Sequence, residues 1–241
     1  MNLAKGDEKQ PCLLSFDDAR TLFHEFGHAL HGLLSDVTYP LLSGTNVARD
    51  FVELPSQVYE HWLEQKEVLA RFALHFETNE PMPEALLEKL LSARQFNQGF
   101  ATVEYTASAV VDLALHLVPG EESIDIIGFE KKELKRLGLP ASITMRHRTP
   151  HFQHIFAGDH YAAGYYSYLW SEILDADGFA AFEESGDVFD PAIAKRLHDH
   201  IYAAGYLRDP DEAYVAFRGR MAEPEALLRK RGLVAPIAGP A

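Results

Sequence analysis

The sequence predicts a mainly α-helical fold. Apolar residues recur with helical spacing along most of the chain. The alternation of apolar and polar residues that is typical of half-buried strands is not found. Prolines and glycines separate the periodic segments, without a fixed-period repeat or an internal linker. Residues 1–241 are therefore predicted to form a single helical domain.

The first predicted helix covers residues 17–34, where the apolar side chains follow one helical face. Ser15 or Asp17 is expected to cap its N-terminus. Residues 35–50 are rich in Ser, Gly, Pro, Thr and Asn, which predicts a loop. The remaining helices predicted in this half of the chain are residues 51–77, a segment from Pro83 to about Phe96, and residues 100–117.

Prolines and glycines divide the second half of the chain. Pro119 and Gly120 end the helix at residues 100–117, and Ser123 is expected to cap a shorter helix after them. Residues 139–152 contain two prolines and predict a loop. The last predicted boundaries are two helix starts, Asp190-Pro191 and Asp209-Pro210, and a helix stop at Gly205 between them.

Composition and charge exclude several classes of protein. The chain has 36 acidic and 22 basic residues, a formal charge of −14, which argues against binding nucleic acid or an anionic membrane. Its single cysteine, Cys12, cannot form an internal disulfide, which indicates a reducing compartment. No apolar run approaches the roughly 18 residues of a membrane span, and the N-terminal segment lacks the apolar core of a signal peptide. We therefore expect a cytoplasmic protein.

The motif with the clearest chemistry is HEFGH at residues 24–28. On a helix, His24 and His28 lie on one face, so that both imidazoles can bind one zinc ion. Glu25 is rotated by about 100° from His24 and can act as a general base toward water at the metal. Gly27 is expected to leave a small surface where a substrate backbone could approach. A surface helix with two solvated histidines would show the same five residues.

Catalytic zinc usually has three protein ligands, so a third must come from elsewhere. The segment DFVELPSQ, residues 50–57, places Glu53 among apolar neighbours at the start of a predicted helix. Spacing alone does not select Glu53 over Asp50 or Glu60.

Three runs of sequence together closely resemble the thimet oligopeptidase family of zinc peptidases. They are LFHEFGHALH at residues 22–31, DFVELPSQ at 50–57 and AAGYYSYLW at 162–170. Within the family, residues 146–148 and 154–158 most resemble the bacterial peptidyl-dipeptidases. The resemblance extends from about Lys9 onward and implies a zincin-like helical catalytic domain with its H-E-x-x-H helix near the N-terminus. Since family members are much longer, it also implies that this chain is the C-terminal catalytic portion.

The resemblance implies one Zn²⁺ per chain, with His24, His28 and Glu53 as ligands and Glu25 as the general base. An acid one turn after the ligand glutamate often orients a zinc histidine in such peptidases, but that position is Gln57 here. Glu60, two turns after Glu53 on roughly the same face, is our hypothesis for the orienting carboxylate.

The resemblance also implies that a group of residues binds the substrate backbone or the tetrahedral intermediate: His154, Tyr161, Tyr165 and Tyr168. The three tyrosines have the spacing of a helical core stripe, which is the alternative for them; we prefer a catalytic hydroxyl for Tyr161 and Tyr168. His160 competes with His154, because the loop between His154 and Tyr161 varies in length in the family.

Gly158 and Arg148 are further candidates for substrate binding. An arginine suits the free C-terminal carboxylate of a peptide, because its guanidinium donates two parallel hydrogen bonds. Arg146 and Arg208 are the alternatives to Arg148.

The expected function is zinc-dependent hydrolysis of short oligopeptides, with release of dipeptides from free C-termini. The alternatives are a broad-specificity oligopeptidase and a zinc-binding fragment that needs a missing N-terminal half. Apolar surface that faced the missing portion predicts self-association or a partner chain.

Overall fold

A computed structural model describes residues 3, 5–7, 11–120 and 123–234. Over these residues the chain forms α-helices joined by turns and short 3₁₀ segments, and its only β-pairing is one isolated bridge between Leu74 and Pro81. The helices are α1 (Phe16–Leu33), α2 (Leu54–Leu63), α3 (Lys66–Phe72), α4 (Glu84–Ala93), α5 (Gln98–His116), α6 (Ile126–Arg136), α7 (Ser167–Ser185), α8 (Pro191–Leu197), α9 (Pro210–Arg218) and α10 (Glu225–Lys230). The predicted mainly α fold is confirmed.

Helix α1 begins at the first of the two predicted caps. The Ser15 hydroxyl accepts a hydrogen bond from the Asp18 N–H at 3.1 Å, and the Asp18 carboxylate accepts one from the Ser15 N–H at 3.0 Å. This reciprocal capping box satisfies two of the N–H groups at the start of the helix that have no partner within it.

Two predictions about helices are wrong: the single helix over residues 51–77 and the cap at Ser123. Residues 51–77 form two helices instead of one, because the chain turns at Gln65, whose backbone is extended, and α3 ends at Phe72. The helical spacing continues across this turn because Leu63 of α2 and Leu69 of α3 enter the same apolar cluster. Asp125, and not Ser123, caps α6 by accepting a hydrogen bond from the Gly128 N–H at 3.1 Å.

Helix α7 has no exposed face along its central part. Every residue from 174 to 182 is buried. A helix shows a 3.6-residue pattern in its sequence only when an apolar face alternates with a polar face. Because this part of α7 is buried on all sides, its sequence lacks that pattern, and periodicity could not predict the helix.

The chain divides into two compact units. Unit 1 contains residues 1–96 and 171–241, and unit 2 contains residues 97–170. The core of unit 1 includes Leu54, Phe179, Phe182, Ile201 and Phe217, whereas the core of unit 2 includes Ala107, Val111, Leu134, Phe152 and Ile155. The single domain over residues 1–241 remains a prediction.

A buried tyrosine fixes the start of α2. Tyr202 lies at the end of a π-helical turn, His198–Tyr202, and its hydroxyl donates a hydrogen bond to the Pro55 carbonyl at 2.7 Å. Burial raises the pKa of Tyr202, so that the hydroxyl keeps the proton that it donates.

None of the helices that the structure describes has both the length and the apolarity needed to cross a membrane.

Candidate functional site

The close packing of α1 against α2 depends on Gly27. A Cβ atom at this position would lie 2.6 Å from the Ser56 Cα and 2.8 Å from the Pro55 carbonyl oxygen. Only a residue without a side chain allows this approach of two backbones. The expectation that Gly27 leaves a surface for a substrate is therefore wrong, because the backbone of α2 occupies that space.

This packing brings together the three predicted metal ligands. The Glu53 Oε2 atom is 3.2 Å from the Nε2 atom of His24 and 3.1 Å from that of His28. One ligand atom from each of the three residues lies within 4.8 Å of the other two. Spacing left Asp50, Glu53 and Glu60 as candidates for the third ligand. Of these, Glu53 is the acid that lies beside both histidines.

The second acid, Glu60, touches the other side of the His24 ring. Its Oε1 atom is 2.7 Å from His24 Nδ1, so that an N–H at Nδ1 donates to Glu60 while Nε2 faces Glu53. Burial lowers the pKa of His24, but the hydrogen bonds to Glu53 and Glu60 outweigh it and raise the pKa to about 9. The predicted proximity of Glu60 to a ligand histidine is present in the fold.

Glu53 is buried, with 7% of its surface exposed. The Ser56 hydroxyl lies 3.2 Å from its Oε2 atom and donates to its main-chain carbonyl at 2.8 Å. Burial raises the pKa of Glu53, but hydrogen bonds from His24 and His28 outweigh it and lower the pKa to about 2. The site therefore presents an ionised carboxylate to any cation.

These donors fit a zinc ion. Tetrahedral zinc with bonds of 2.0–2.1 Å separates its ligand atoms by about 3.3 Å, close to the two separations seen here. Two imidazoles and one carboxylate are a donor set found at catalytic zinc. A carboxylate on the second nitrogen of His24 completes the arrangement that orients metal-binding histidines.

The third acid and the predicted base lie outside this cluster. Asp50 belongs to unit 1, where its main-chain carbonyl accepts a hydrogen bond from the Ser171 hydroxyl at 2.9 Å. Glu25 follows His24 on α1, and its side chain is exposed. It is therefore accessible to water beside His24.

In unit 2, the predicted tyrosines surround His154. The centre of its ring lies 4.9 Å from that of Tyr161, 5.5 Å from that of Tyr165 and 5.8 Å from that of Tyr168. The ring of the competing histidine, His160, is tilted by 43° to that of Tyr161, with the ring centres 4.4 Å apart. The fold thus gathers the predicted group around His154: Tyr161 and Tyr165 precede α7, and Tyr168 lies in its first turn.

The two remaining candidates for substrate binding have partners within unit 2. The Arg148 Nε atom lies 2.5 Å from the Oε1 atom of Glu130, which is buried, and 38% of the arginine side chain stays exposed. A Cβ atom at Gly158 would lie 3.1 Å from the His160 ring, so Gly158 makes room for that ring. A role for either residue in substrate binding remains a prediction. Of the two alternative arginines, Arg146 has a positive charge that partly opposes the rise in the pKa of Tyr165 caused by burial. Arg208 is exposed in unit 1.

Sequence reasoning missed three residues of α5 that contact residues 161–168, the tyrosine-rich segment: Tyr105, Asp112 and His116. Residues 100–117 were predicted as a helix, without a role for its polar side chains. The available signal was that these three polar side chains recur seven and four residues apart, on one face of that helix.

The chain is similar to known peptidases. The model of Peptidase family M3 matches residues 1–233. A dipeptidyl carboxypeptidase of Salmonella typhimurium is 42% identical over 237 residues, which are 96% of this chain and 34% of that protein. Oligopeptidase A of Haemophilus influenzae is 39% identical over 228 residues, or 93% and 33% of the two chains. A probable cytosolic oligopeptidase A of Arabidopsis thaliana is 40% identical over 240 residues, or 97% and 34%.

The chain spans about a third of the length of these curated relatives. The match nevertheless covers almost all of this chain, including the HEFGH motif, Glu53 and the tyrosine-rich segment. The chain therefore belongs to peptidase family M3.

Proposed function

We propose that this chain hydrolyses peptide bonds of short oligopeptides at a centre formed by His24, His28 and Glu53, which hold one Zn²⁺. The observation that carries the proposal is that both motif histidines face the same oxygen of Glu53, at 3.2 and 3.1 Å. Membership of a peptidase family supports the same reaction.

A zinc ion held by His24, His28 and Glu53 would supply Lewis acidity toward the scissile carbonyl and the attacking water. Glu25 takes a proton from the attacking water and delivers it to the leaving amine nitrogen as the carbon–nitrogen bond breaks. Glu60 holds the ring of His24 through Nδ1, so that Nε2 stays directed at the metal position.

We assign Tyr168, Tyr161 and His154 as hydrogen-bond donors to the carbonyl oxygen, where negative charge develops during attack. Tyr165 and Gly158 are assigned to the substrate backbone. These assignments rest on the matching residues of the tyrosine-rich run and on the gathering of the tyrosines around His154.

We further propose that the chain releases dipeptides from free C-termini, with Arg148 as the candidate for the terminal carboxylate. Its side chain is 38% exposed, although its Nε atom lies 2.5 Å from the Glu130 carboxylate. Relatives named as dipeptidyl carboxypeptidases and as oligopeptidases A have similar identity to this chain, so broad internal cleavage is the second candidate.

Mass spectrometry of the products tests the proposal. The zinc-loaded chain is incubated with one unstructured peptide that carries either a free or an amidated C-terminus. Stepwise loss of dipeptides from the free form alone is expected. Internal cuts in both forms would assign the chain as an oligopeptidase instead.

Variants of the centre provide the controls. Glu25→Gln is expected to keep zinc and lose hydrolysis, whereas His28→Ala or Glu53→Ala loses the metal, as measured by atomic absorption. Hydrolysis by Glu25→Gln would contradict the assignment of the base. A folded, zinc-bound but inactive wild-type chain would instead indicate that catalysis needs the rest of the length that the relatives have.

We also propose that the chain acts in the cytoplasm and associates with itself or a partner chain. Leu22, Phe26 and Leu33 of α1 have exposed side chains, which supports association through that helix. Sedimentation velocity of the chain at several concentrations tests this, and a monomer throughout would contradict self-association.

A further inference from the structure

We infer that Asp112, supported by Tyr105 and His116, is a positioning residue that clamps the backbone of the tyrosine-rich segment, residues 161–168. The three side chains are spaced by seven and four residues along α5 and therefore lie on one face of the helix. The consequence for catalysis rests on the proposed function, whereas the clamp itself is a property of unit 2.

The carboxylate of Asp112 is completely buried. Its Oδ2 atom accepts a hydrogen bond from the Tyr165 N–H at 2.9 Å, and its Oδ1 atom accepts one from the Ala163 N–H at 3.2 Å. The Nδ1 atom of His116 lies 2.8 Å from the same Oδ1 and also accepts a hydrogen bond from the Ala163 N–H at 3.3 Å. A buried carboxylate is costly unless it is fully hydrogen-bonded, so the carboxylate and the segment depend on each other.

The backbone of the segment needs this support. Ala163 has a φ of +56°, in the left-handed region that residues with a Cβ atom rarely adopt. The local sequence does not favour this conformation, because alanine gains nothing from it. Hydrogen bonds from outside the segment must therefore hold it.

Residue 165 is held at both of its backbone groups by the same helix. Its N–H donates to Asp112, and its carbonyl accepts a hydrogen bond from the Tyr105 hydroxyl. The two tyrosine rings also stack, with their centres 5.0 Å apart. The clamp thus fixes the backbone at the position that places Tyr165 against His154.

Positioning of this kind affects turnover more than stability. A displacement of about 1 Å in a group that contacts the reacting atoms can lower a rate about 100-fold. Loss of the clamp is therefore expected to reduce kcat, while KM changes less.

The test compares Asp112→Asn with Glu133→Gln in the full chain. Asparagine has the size of aspartate, but one of its two oxygens is replaced by an NH₂ group. That group cannot accept a hydrogen bond from the backbone N–H of Ala163 or Tyr165 that it faces. Glu133 is another buried carboxylate of unit 2 and pairs with Arg136. Among the described residues, its partners do not include residues 161–168. Amide hydrogen exchange is measured over the whole chain, together with kcat and KM.

For Asp112→Asn, we expect the amides of Ala163 and Tyr165 to exchange about tenfold faster or more, while the core amides of α5 and α6 keep their protection. We expect kcat to fall about 10- to 100-fold. Glu133→Gln should leave both the exchange of the segment and kcat unchanged. Unchanged exchange at Ala163 and Tyr165 would overturn the clamp, and unchanged kcat in an active enzyme would overturn its catalytic consequence.

Two other results are possible: Asp112→Asn does not fold, or the wild-type chain is inactive. If Asp112→Asn does not fold, Ala163→Gly provides a milder variant, because glycine adopts φ of +56° freely but also many other conformations. The same local rise in exchange and fall in kcat are expected, and wild-type behaviour would overturn the proposal. If the wild-type chain is inactive, the proposed function fails with the catalytic consequence, while hydrogen exchange still decides whether the clamp exists.

Discussion

The predicted metal-ligand cluster of α1 and α2 (His24, His28 and Glu53) is held by backbone packing, whereas the tyrosine-rich segment of unit 2 is held by side chains. At the cluster, two helices meet at Gly27, and the ligand atoms follow from helical spacing and from the start of α2. In the segment, an irregular backbone with a left-handed alanine is fixed by Asp112, His116 and Tyr105.

The two regions should therefore fail in different ways. Backbone packing leaves no room for adjustment, so one added methyl group at Gly27 affects the whole cluster. Hydrogen bonds from side chains can be lost singly, so the segment should loosen while the rest of unit 2 stays folded. The substitutions below probe the two regions in order of decreasing effect.

Gly27→Ala should have the largest effect. Its Cβ atom would lie within 3 Å of main-chain atoms of Pro55 and Ser56, so α2 must move and carry Glu53 with it. We expect a loss of at least about 3 kcal/mol in the free energy of unfolding, together with loss of zinc. Urea denaturation and metal analysis measure the two effects.

Gly32→Ala is the matched control, because a Cβ atom there meets no heavy atom within 4 Å. This substitution in the same helix should stabilise the chain by about 0.5–1 kcal/mol. Equal effects of the two substitutions would show that Gly27 has no special packing role.

Tyr168→Phe should lower kcat about 10²- to 10³-fold, about 3 kcal/mol in the barrier, because the carbonyl oxygen loses a donor. Zinc content and the free energy of unfolding should stay close to those of the wild type. Steady-state kinetics with one short peptide measures the change. Tyr166→Phe in the same run is the control, and an equal loss in both variants would contradict a specific role for Tyr168.

Glu60→Ala should weaken zinc binding about 10- to 100-fold, because His24 loses the partner at 2.7 Å that orients its ring. Competition with a chelator of known affinity gives the zinc dissociation constant. Glu67→Ala, at an exposed acid of α3, should bind zinc like the wild type. Wild-type affinity and turnover in Glu60→Ala would remove Glu60 from the site.

His31 should make the stability of unit 1 depend on pH. It is completely buried in α1, and neither ring nitrogen has a hydrogen-bond partner among the described residues. Burial, with a smaller effect of His28, lowers its pKa from 6.5 to about 4. Between these values the unfolded state binds the proton and the folded state does not, so the contribution of His31 to stability is lost as the pH falls from 6.5 toward 4.

The comparison of wild type with His31→Leu isolates this contribution. The free energy of unfolding of the wild type, relative to that of the variant, should fall by about 1 kcal/mol between pH 7 and pH 5.5. Urea denaturation with a chelator present measures it, since bound metal would add the titration of its ligands. A difference that is the same at both pH values would contradict the assignment.

Local sequence is sufficient for the features that depend on neighbouring residues. The capping box at Ser15, the helical class and the pairing of His24 with His28 follow from spacings of three and four residues. The family resemblance rests on short runs and was confirmed by the match over residues 1–233. Local spacing gives wrong predictions at turns. At Gln65, the apolar spacing of a helix continues although the helix itself ends.

Tertiary packing supplies the features that join distant parts of the chain. The contact of His24 with Glu60 spans 36 residues, and that of Asp112 with Tyr165 spans 53. It also reversed the interpretation of Gly27, whose missing side chain makes room for a helix and not for a substrate. Periodicity specifies which face of a helix is apolar, but a hydrogen bond between distant residues depends on how the helices pack, and packing is set by the whole chain at once.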